Sequence, residues 1–117
     1  MNKRLIYGDI GGPKAILQLG ELVDGHVHEQ FTQRYDSSAY MTFCDLLGEF
    51  LHQAGATESS NSPLAACFAV AGPITEQQVQ LTNLSWQISS AQIADTFSIP
   101  AVQLINDFEA VALAVEM

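Results

Sequence analysis

Near the end of the sequence, two apolar runs of different character are separated by a pair of polar residues. Ala101–Ile105 follows Pro100 and has the composition of a short buried strand. Phe108–Val115 is apolar and rich in alanine, which predicts a helix. Asn106 and Asp107 therefore stand where a strand passes into a helix. In open α/β sheets this position, outside the carboxyl end of a strand, is where ligands bind, so the pair favours an α/β fold with a site there.

Two interpretations of this polar pair are open at this point. In the first, Asp107 caps the last helix and Asn106 turns the chain, as such residues commonly do. In the second, the Asp107 carboxylate accepts a proton or binds a hydroxyl group, while the Asn106 amide donates and accepts hydrogen bonds. The dipeptide alone does not distinguish between these two interpretations, so the choice depends on the rest of the sequence.

Composition limits the class of protein. The chain has 117 residues, enough for one domain with a core, and 48% of them are hydrophobic. Its formal charge of -9 argues against nucleic acid or an anionic membrane as a partner. No apolar run is long enough to span a membrane and no signal peptide is evident. Cys44 and Cys67 fit free thiols in a reducing compartment, which predicts a cytoplasmic protein.

The first part of the chain predicts three antiparallel strands. Leu5–Tyr7, Ala15–Leu19 and Val27–Tyr35 are strand-like, and the glycine-rich turn Gly8–Pro13 joins the first two as a hairpin. The turn matches neither a dinucleotide fingerprint nor a Walker loop. Its backbone N–H groups can instead face a phosphate, with the Asp9 carboxylate holding a hydrated Mg²⁺ ion.

The middle of the chain predicts helices on a sheet. Asp36–Ser38 offers N-caps for a helix that runs to about Ala54, with its apolar residues at helical spacing. Leu64–Ala71 reads as a central strand that ends before Gly72 and Pro73. Further predicted elements are a short strand at Val79–Leu81 and a helix that begins at the capping box Ser89–Gln92, where Ile88 and Ile93 form a hydrophobic staple.

Three predicted strand ends then carry the polar or glycine-rich segments. These segments are Asp9–Gly12, Gly72–Pro73 and Asn106–Asp107. If the strands are parallel neighbours, the three segments meet at one edge of the sheet. A phosphate loop and a carboxylate that share one cleft would suit the transfer of a phosphoryl group to a hydroxyl.

Four segments together resemble the bacterial ATP-dependent glucokinase family, in order and at compatible spacing along the whole chain. They are Gly8–Gly12, Phe68–Ile74, Leu81–Trp86 and Leu104–Ala112. The resemblance covers only the N-terminal lobe of that family, here residues 1–117. It implies a ribonuclease-H-like, actin-like ATPase domain: a mixed sheet with three N-terminal antiparallel strands, further parallel strands and flanking helices. Sugar and nucleotide would bind in the cleft between two lobes.

The resemblance also implies roles for individual residues. Asp107 would be the general base for the 6-hydroxyl of glucose, and Asn106 would bind a ring hydroxyl. Asn83 and Gly72 would lie near the sugar. The phosphate side, with ATP as co-substrate and Mg²⁺ as cofactor, would use Asp9 through water, Gly11, Gly12 and Lys14.

Two departures from the family bear on activity. Pro13 stands where the family usually has threonine, and proline supplies neither an N–H nor a hydroxyl to a phosphate; Lys14 would compensate only in part. The final apolar segment expects cover from further chain or a partner, which is compatible with self-association as a homodimer but does not fix the symmetry. Because half of the cleft is missing, we expect the isolated lobe to be inactive.

Two other classes of function stay open beside the kinase. One is a non-catalytic actin-fold module that senses sugar or serves in assembly, in which Pro13 marks the loss of the phosphate site. The other is a small redox or metal protein built on the cysteines and histidines. Their wide spacing makes the second a weak hypothesis.

Overall fold

A computed structural model describes residues 3–11, 13–56, 63–81 and 86–106. The described elements are two helices and seven strands, in the order β1 (Lys3–Gly11), β2 (Lys14–Val23), β3 (His26–Asp36), α1 (Phe43–Gln53), β4 (Ala65–Val70), β5 (Gln78–Leu81), β6 (Trp86–Ser89), α2 (Ser90–Phe97) and β7 (Ala101–Asn106). Five strands form one sheet in the order β3-β2-β1-β4-β7, and β5 pairs with β6 separately.

The main sheet combines antiparallel and parallel pairs. Strands β1, β2 and β3 pair antiparallel, whereas β4 pairs parallel to β1 and β7 parallel to β4. The mixed sheet with three N-terminal antiparallel strands is therefore confirmed. Because β1, β4 and β7 are parallel neighbours, their carboxyl ends lie at the same edge.

Strand β1 is longer than the sequence predicts. We expected it to end at Gly8, but it continues to Gly11. Gly8 is buried, and a Cβ atom there would lie 2.6 Å from Cδ1 of Phe68. Glycine at this position makes room for the Phe68 ring in the core and does not turn the chain, which corrects the prediction.

Helix α1 packs on the sheet through one apolar face. Five of its residues are buried, whereas Asp45, Glu49, His52 and Gln53 are exposed. The ring of Phe43 meets that of Phe68 edge-on, with centroids 5.1 Å apart. The buried residues are Phe43, Leu46, Leu47, Phe50 and Leu51.

The start of this helix differs from the prediction. Asp36 accepts a hydrogen bond from the Ser38 amide at 3.1 Å, but it caps only a single 3-10 turn, Ser37–Ala39. Tyr40 is extended, and α1 begins later, where Thr42 Oγ1 accepts from the amide of Asp45. The predicted cap is real, but it belongs to the shorter element because the backbone leaves helical geometry before α1 starts.

The region around α2 contains one confirmed and one missed element. Ser89 caps α2 as predicted and accepts from the Gln92 amide, and Ile88 and Ile93 are both buried. Strand β6 was not predicted, although Trp86 and Ile88 are buried on either side of the exposed Gln87. Within the described ranges, no helix is long and apolar enough to cross a membrane.

Tyr35 yields a prediction for alkaline pH. Its hydroxyl donates to Gln53 Oε1, and burial, followed by the charge of Glu49, raises the pKa of Tyr35 to about 12. Since the unfolded value is about 10, the folded state holds this proton more tightly. Stability from Tyr35 is therefore full below about pH 10 and lost as the pH rises towards 12. Urea unfolding across this range should show a steeper fall for the wild type than for Tyr35→Phe; equal slopes would contradict the assignment.

Candidate functional site at the carboxyl edge of the sheet

The three parallel strands align so that their last residues lie side by side. In the register of the sheet, Val70 of β4 is paired with Ile10 of β1 on one side and with Asn106 of β7 on the other. The segments that follow these residues therefore start from one edge. The predicted convergence of the strand ends is confirmed for the residues that the structure describes.

Two of the predicted sugar-binding residues are in direct contact at this edge. The side-chain amide of Asn106 donates from Nδ2 to the backbone oxygen of Gly72, over 3.2 Å. Both residues are partly buried. A Cβ atom on Gly72 would lie 3.0 Å from Cγ2 of Val79, so the absence of a side chain lets this loop approach β5 closely. The structure thus joins β7 to the loop after β4 at the predicted site.

The glycine hairpin lies next to the same loop. The amide of Ala71 donates to the oxygen of Ile10 at 3.2 Å. A Cβ atom on Gly11 would lie 3.3 Å from Cβ of Ala71. Gly11 is therefore close to the loop that carries Gly72.

Pro13, which departs from the family, and its neighbour Lys14 also have defined surroundings. Pro13 is exposed, and its carbonyl accepts from the Ser37 amide at 2.9 Å. Lys14 is exposed and pairs across the strands with Asp36. Hydrogen bonds from the Ser38 hydroxyl and then the Ser38 amide lower the pKa of Asp36, and the charge of Lys14 lowers it further. Lys14 thus has a carboxylate neighbour within its own sheet.

Asp9 lies near this edge but on the other face of the sheet from Asn106. Across the neighbouring strands, Asp9 is in register with Ile16 and Ala69. Asn106 is in register with Val70, which in turn is in register with Ile10. Adjacent residues of a strand point to opposite faces. Asp9 is exposed, so its carboxylate can reach a hydrated cation. The structure does not place it beside Asn106.

Three predicted site residues, Asp107, Gly12 and Asn83, lie outside the described residues, as does the predicted helix at Phe108–Val115. Within the described ranges, no group of three or more His, Cys, Asp or Glu residues could hold a metal ion. Cys44 and Cys67 are free thiols, and burial raises the pKa of each.

Sequence reasoning missed one residue next to the site. Gln77, in the loop between β4 and β5, forms two hydrogen bonds with the backbone of Leu104 in β7. Its partner is 27 residues away along the chain, and the surrounding segment Glu76–Gln78 has no periodic pattern. No local sequence signal could have identified this contact.

Strand order, mixed pairing and flanking helices together define a ribonuclease-H-like domain of the actin-like ATPase fold. The glucokinase family model matches residues 6–117. The chain belongs to the glucokinase family.

Individual relatives agree with this assignment. The glucokinase of Nostoc punctiforme is 38% identical over 112 residues, which cover 95% of this chain and 32% of the relative. The crystal structure of a glucokinase from an Antarctic psychrotroph superposes with a TM-score of 0.80 at 29% identity, over 91% of this chain and 33% of the other.

A glucokinase from Balamuthia mandrillaris in complex with glucose has the same fold, with a TM-score of 0.67 at 22% identity, over 97% of this chain and 32% of the other. The chain spans about a third of the length of these relatives and corresponds to an N-terminal part of them.

Proposed function

We propose that residues 1–117 form the N-terminal lobe of a two-lobed cytoplasmic glucokinase, which transfers the γ-phosphoryl group of ATP to the 6-hydroxyl of glucose. The observation that carries this proposal is the contact between Asn106 and Gly72 at the carboxyl edge of the sheet. In a chain of the glucokinase family, this contact joins two residues predicted to bind the sugar.

The proposed chemistry divides between the sugar and the phosphate. Asp107, next along the chain from Asn106, accepts the proton of the 6-hydroxyl, and the Asn106 amide binds a ring hydroxyl. Gly72 and Asn83 border the sugar. In a loose phosphoryl-transfer transition state, positioning contributes more than proton abstraction, so this base does not need a strongly raised pKa.

On the phosphate side, we propose that Gly11 and Gly12 present backbone to the transferred group and that Lys14 adds a positive charge. The exposed position of Asp9 supports its proposed role, in which it holds Mg²⁺ through a water molecule. The ion would neutralise charge on the phosphates of ATP. Because a second lobe would complete the cleft, we expect no transferase activity from the 117 residues alone.

A second candidate is a non-catalytic sugar-binding or assembly module, and one observation favours it. Pro13 is exposed at the hairpin, and its ring nitrogen has no hydrogen to donate to a phosphate. In this alternative the chain keeps its sugar site but lacks an effective phosphate loop.

The substitution Pro13→Thr separates the two candidates. ADP formation is measured for the full-length gene product with glucose and Mg-ATP, together with Pro13→Thr. The kinase proposal predicts glucose-dependent ADP formation by the wild type and a further rise in the variant, because threonine restores an N–H and a hydroxyl at the hairpin. Glucose binding without ADP formation in either protein would contradict it and favour the sensor.

A further inference from the structure

The side chain of Gln77 ties the loop between β4 and β5 to the edge strand β7. Gln77 is partly buried, and its Oε1 accepts from the amide of Leu104 at 2.7 Å while its Nε2 donates to the oxygen of Leu104 at 3.2 Å. A side-chain amide thus pairs with both backbone groups of one residue. In the described sheet β7 is an edge strand, so Gln77 takes the place of a neighbouring peptide group.

The backbone around Gln77 is held in an uncommon conformation. Glu76 and Gln77 both have positive φ angles, 52° and 59°. Residues other than glycine rarely adopt this region, and they stay there only where the surrounding structure fixes them. Here Thr75 and Gln78 exchange backbone hydrogen bonds at 2.9 and 3.0 Å, and the Ser90 amide donates to the oxygen of Gln77 at 3.1 Å. The loop therefore has one well-defined shape.

Two contacts connect this shaped loop with β7. Gln77 holds the backbone of Leu104, and two residues further along the strand, Asn106 holds the oxygen of Gly72. The contact between Gln77 and Leu104 fixes the position of the loop along the direction of β7. The contact between Asn106 and Gly72 depends on that position, because the Gly72 oxygen must stay within hydrogen-bond distance of the Asn106 amide.

We propose that Gln77 is a positioning residue for the sugar site: it sets the loop so that Gly72 orients the Asn106 amide towards the substrate. This inference rests on the proposed function. Without the Gln77 amide, the loop loses its contact with Leu104, and the Gly72 oxygen is no longer held in place to fix the Asn106 side chain. Sugar binding weakens as a result, while the chemical step, which depends on Asp107 and the phosphate loop, changes little.

The test compares three variants of the full-length gene product in steady-state kinetics with glucose and Mg-ATP. Gln77→Ala removes both hydrogen bonds and should raise the KM for glucose by about tenfold or more, with kcat within about threefold. Gln80→Ala, at an exposed position of β5, is the matched control and should leave both constants within about twofold.

Gln77→Glu gives a readout that a general loss of stability would not produce. A carboxylate accepts from the Leu104 amide but cannot donate to the Leu104 oxygen, whereas a protonated carboxyl group does both. The introduced carboxylate would be partly buried and would face the Leu104 oxygen, so its pKa should lie above the usual value of about 4.3. The KM for glucose of this variant, relative to wild type at each pH, should be raised at about pH 8 and should fall towards the wild-type value as the pH is lowered to about 5. This variant also decides the question if Gln77→Ala does not fold.

The outcomes are distinguishable. Suppose that the wild type is active. The role of Gln77 alone would then be overturned if the KM for glucose of Gln77→Ala lay within about twofold of the wild-type value, or if the ratio of the Gln77→Glu KM to the wild-type KM did not change with pH. A wild type with no glucose-dependent turnover would overturn the proposed function, and the positioning role with it.

Discussion

Replacement of Asp107 by asparagine in the full-length gene product is expected to lower kcat for glucose by about 100-fold or more, while glucose binding stays within a few-fold of wild type. Asparagine keeps the size of the side chain and its ability to hydrogen-bond a hydroxyl, but it cannot take up the proton of the 6-hydroxyl. General base catalysis of this kind contributes about 10²–10⁴-fold. The measurement is ADP formation at saturating glucose and Mg-ATP, beside calorimetric titration of glucose.

Asp95→Asn is the control for this substitution. Asp95 lies on α2 and is exposed, so the same loss of a carboxylate there should leave kcat unchanged. If Asp107→Asn kept its turnover within about tenfold of wild type, Asp107 would not be the base. The first interpretation of the sequence, in which Asp107 only caps a helix, would then be preferred.

Leu47→Ala is expected to lower the free energy of unfolding by about 2–5 kcal/mol. Leu47 has no exposed surface and belongs to the core between α1 and the sheet. Truncation removes apolar contact and leaves a cavity that close-packed neighbours fill only in part. Urea denaturation of the 117-residue chain, followed by circular dichroism, measures the change directly.

The exposed position His52 on the opposite face of α1 supplies the control. His52→Ala should change the free energy of unfolding by less than about 0.5 kcal/mol. A similarly small change for Leu47→Ala would show that the buried face of α1 is assigned to the wrong residues.

The parts of the fold that local chemistry decides could be predicted from the sequence. The cap at Ser89 was confirmed because a hydroxyl and an amide three residues apart are sufficient to form it. The buried face of α1 was also confirmed, since apolar residues at helical spacing have to face one way.

Other features depend on contacts that are distant in the sequence. Gly8 looks like a turn residue until Phe68 is placed against it. Trp86 starts a short strand only because β5 lies beside it, and its Nε1 donates to the oxygen of Tyr40. The tie between Gln77 and Leu104 is of the same kind.

For the candidate site, the convergence of the strand ends at one sheet edge was predictable. The order of strands brings the ends of β1, β4 and β7 together, as expected for parallel neighbours. The sequence placed Asp9 in the turn after the first strand, but Asp9 lies within β1. Its side chain therefore follows the alternation of the strand, which assigns it to one face of the sheet. A shift of one residue along a strand reverses the face, so an error in the strand boundary changes the site.

A crystal structure of the full-length gene product with bound glucose tests the central claim most directly. We predict that the sugar lies at the carboxyl edge of the sheet, with a side-chain atom of Asn106 within about 3.2 Å of a ring hydroxyl and the Asp107 carboxylate equally close to the 6-hydroxyl. Glucose bound away from this edge, with Asn106 in contact only with protein atoms, would contradict the account.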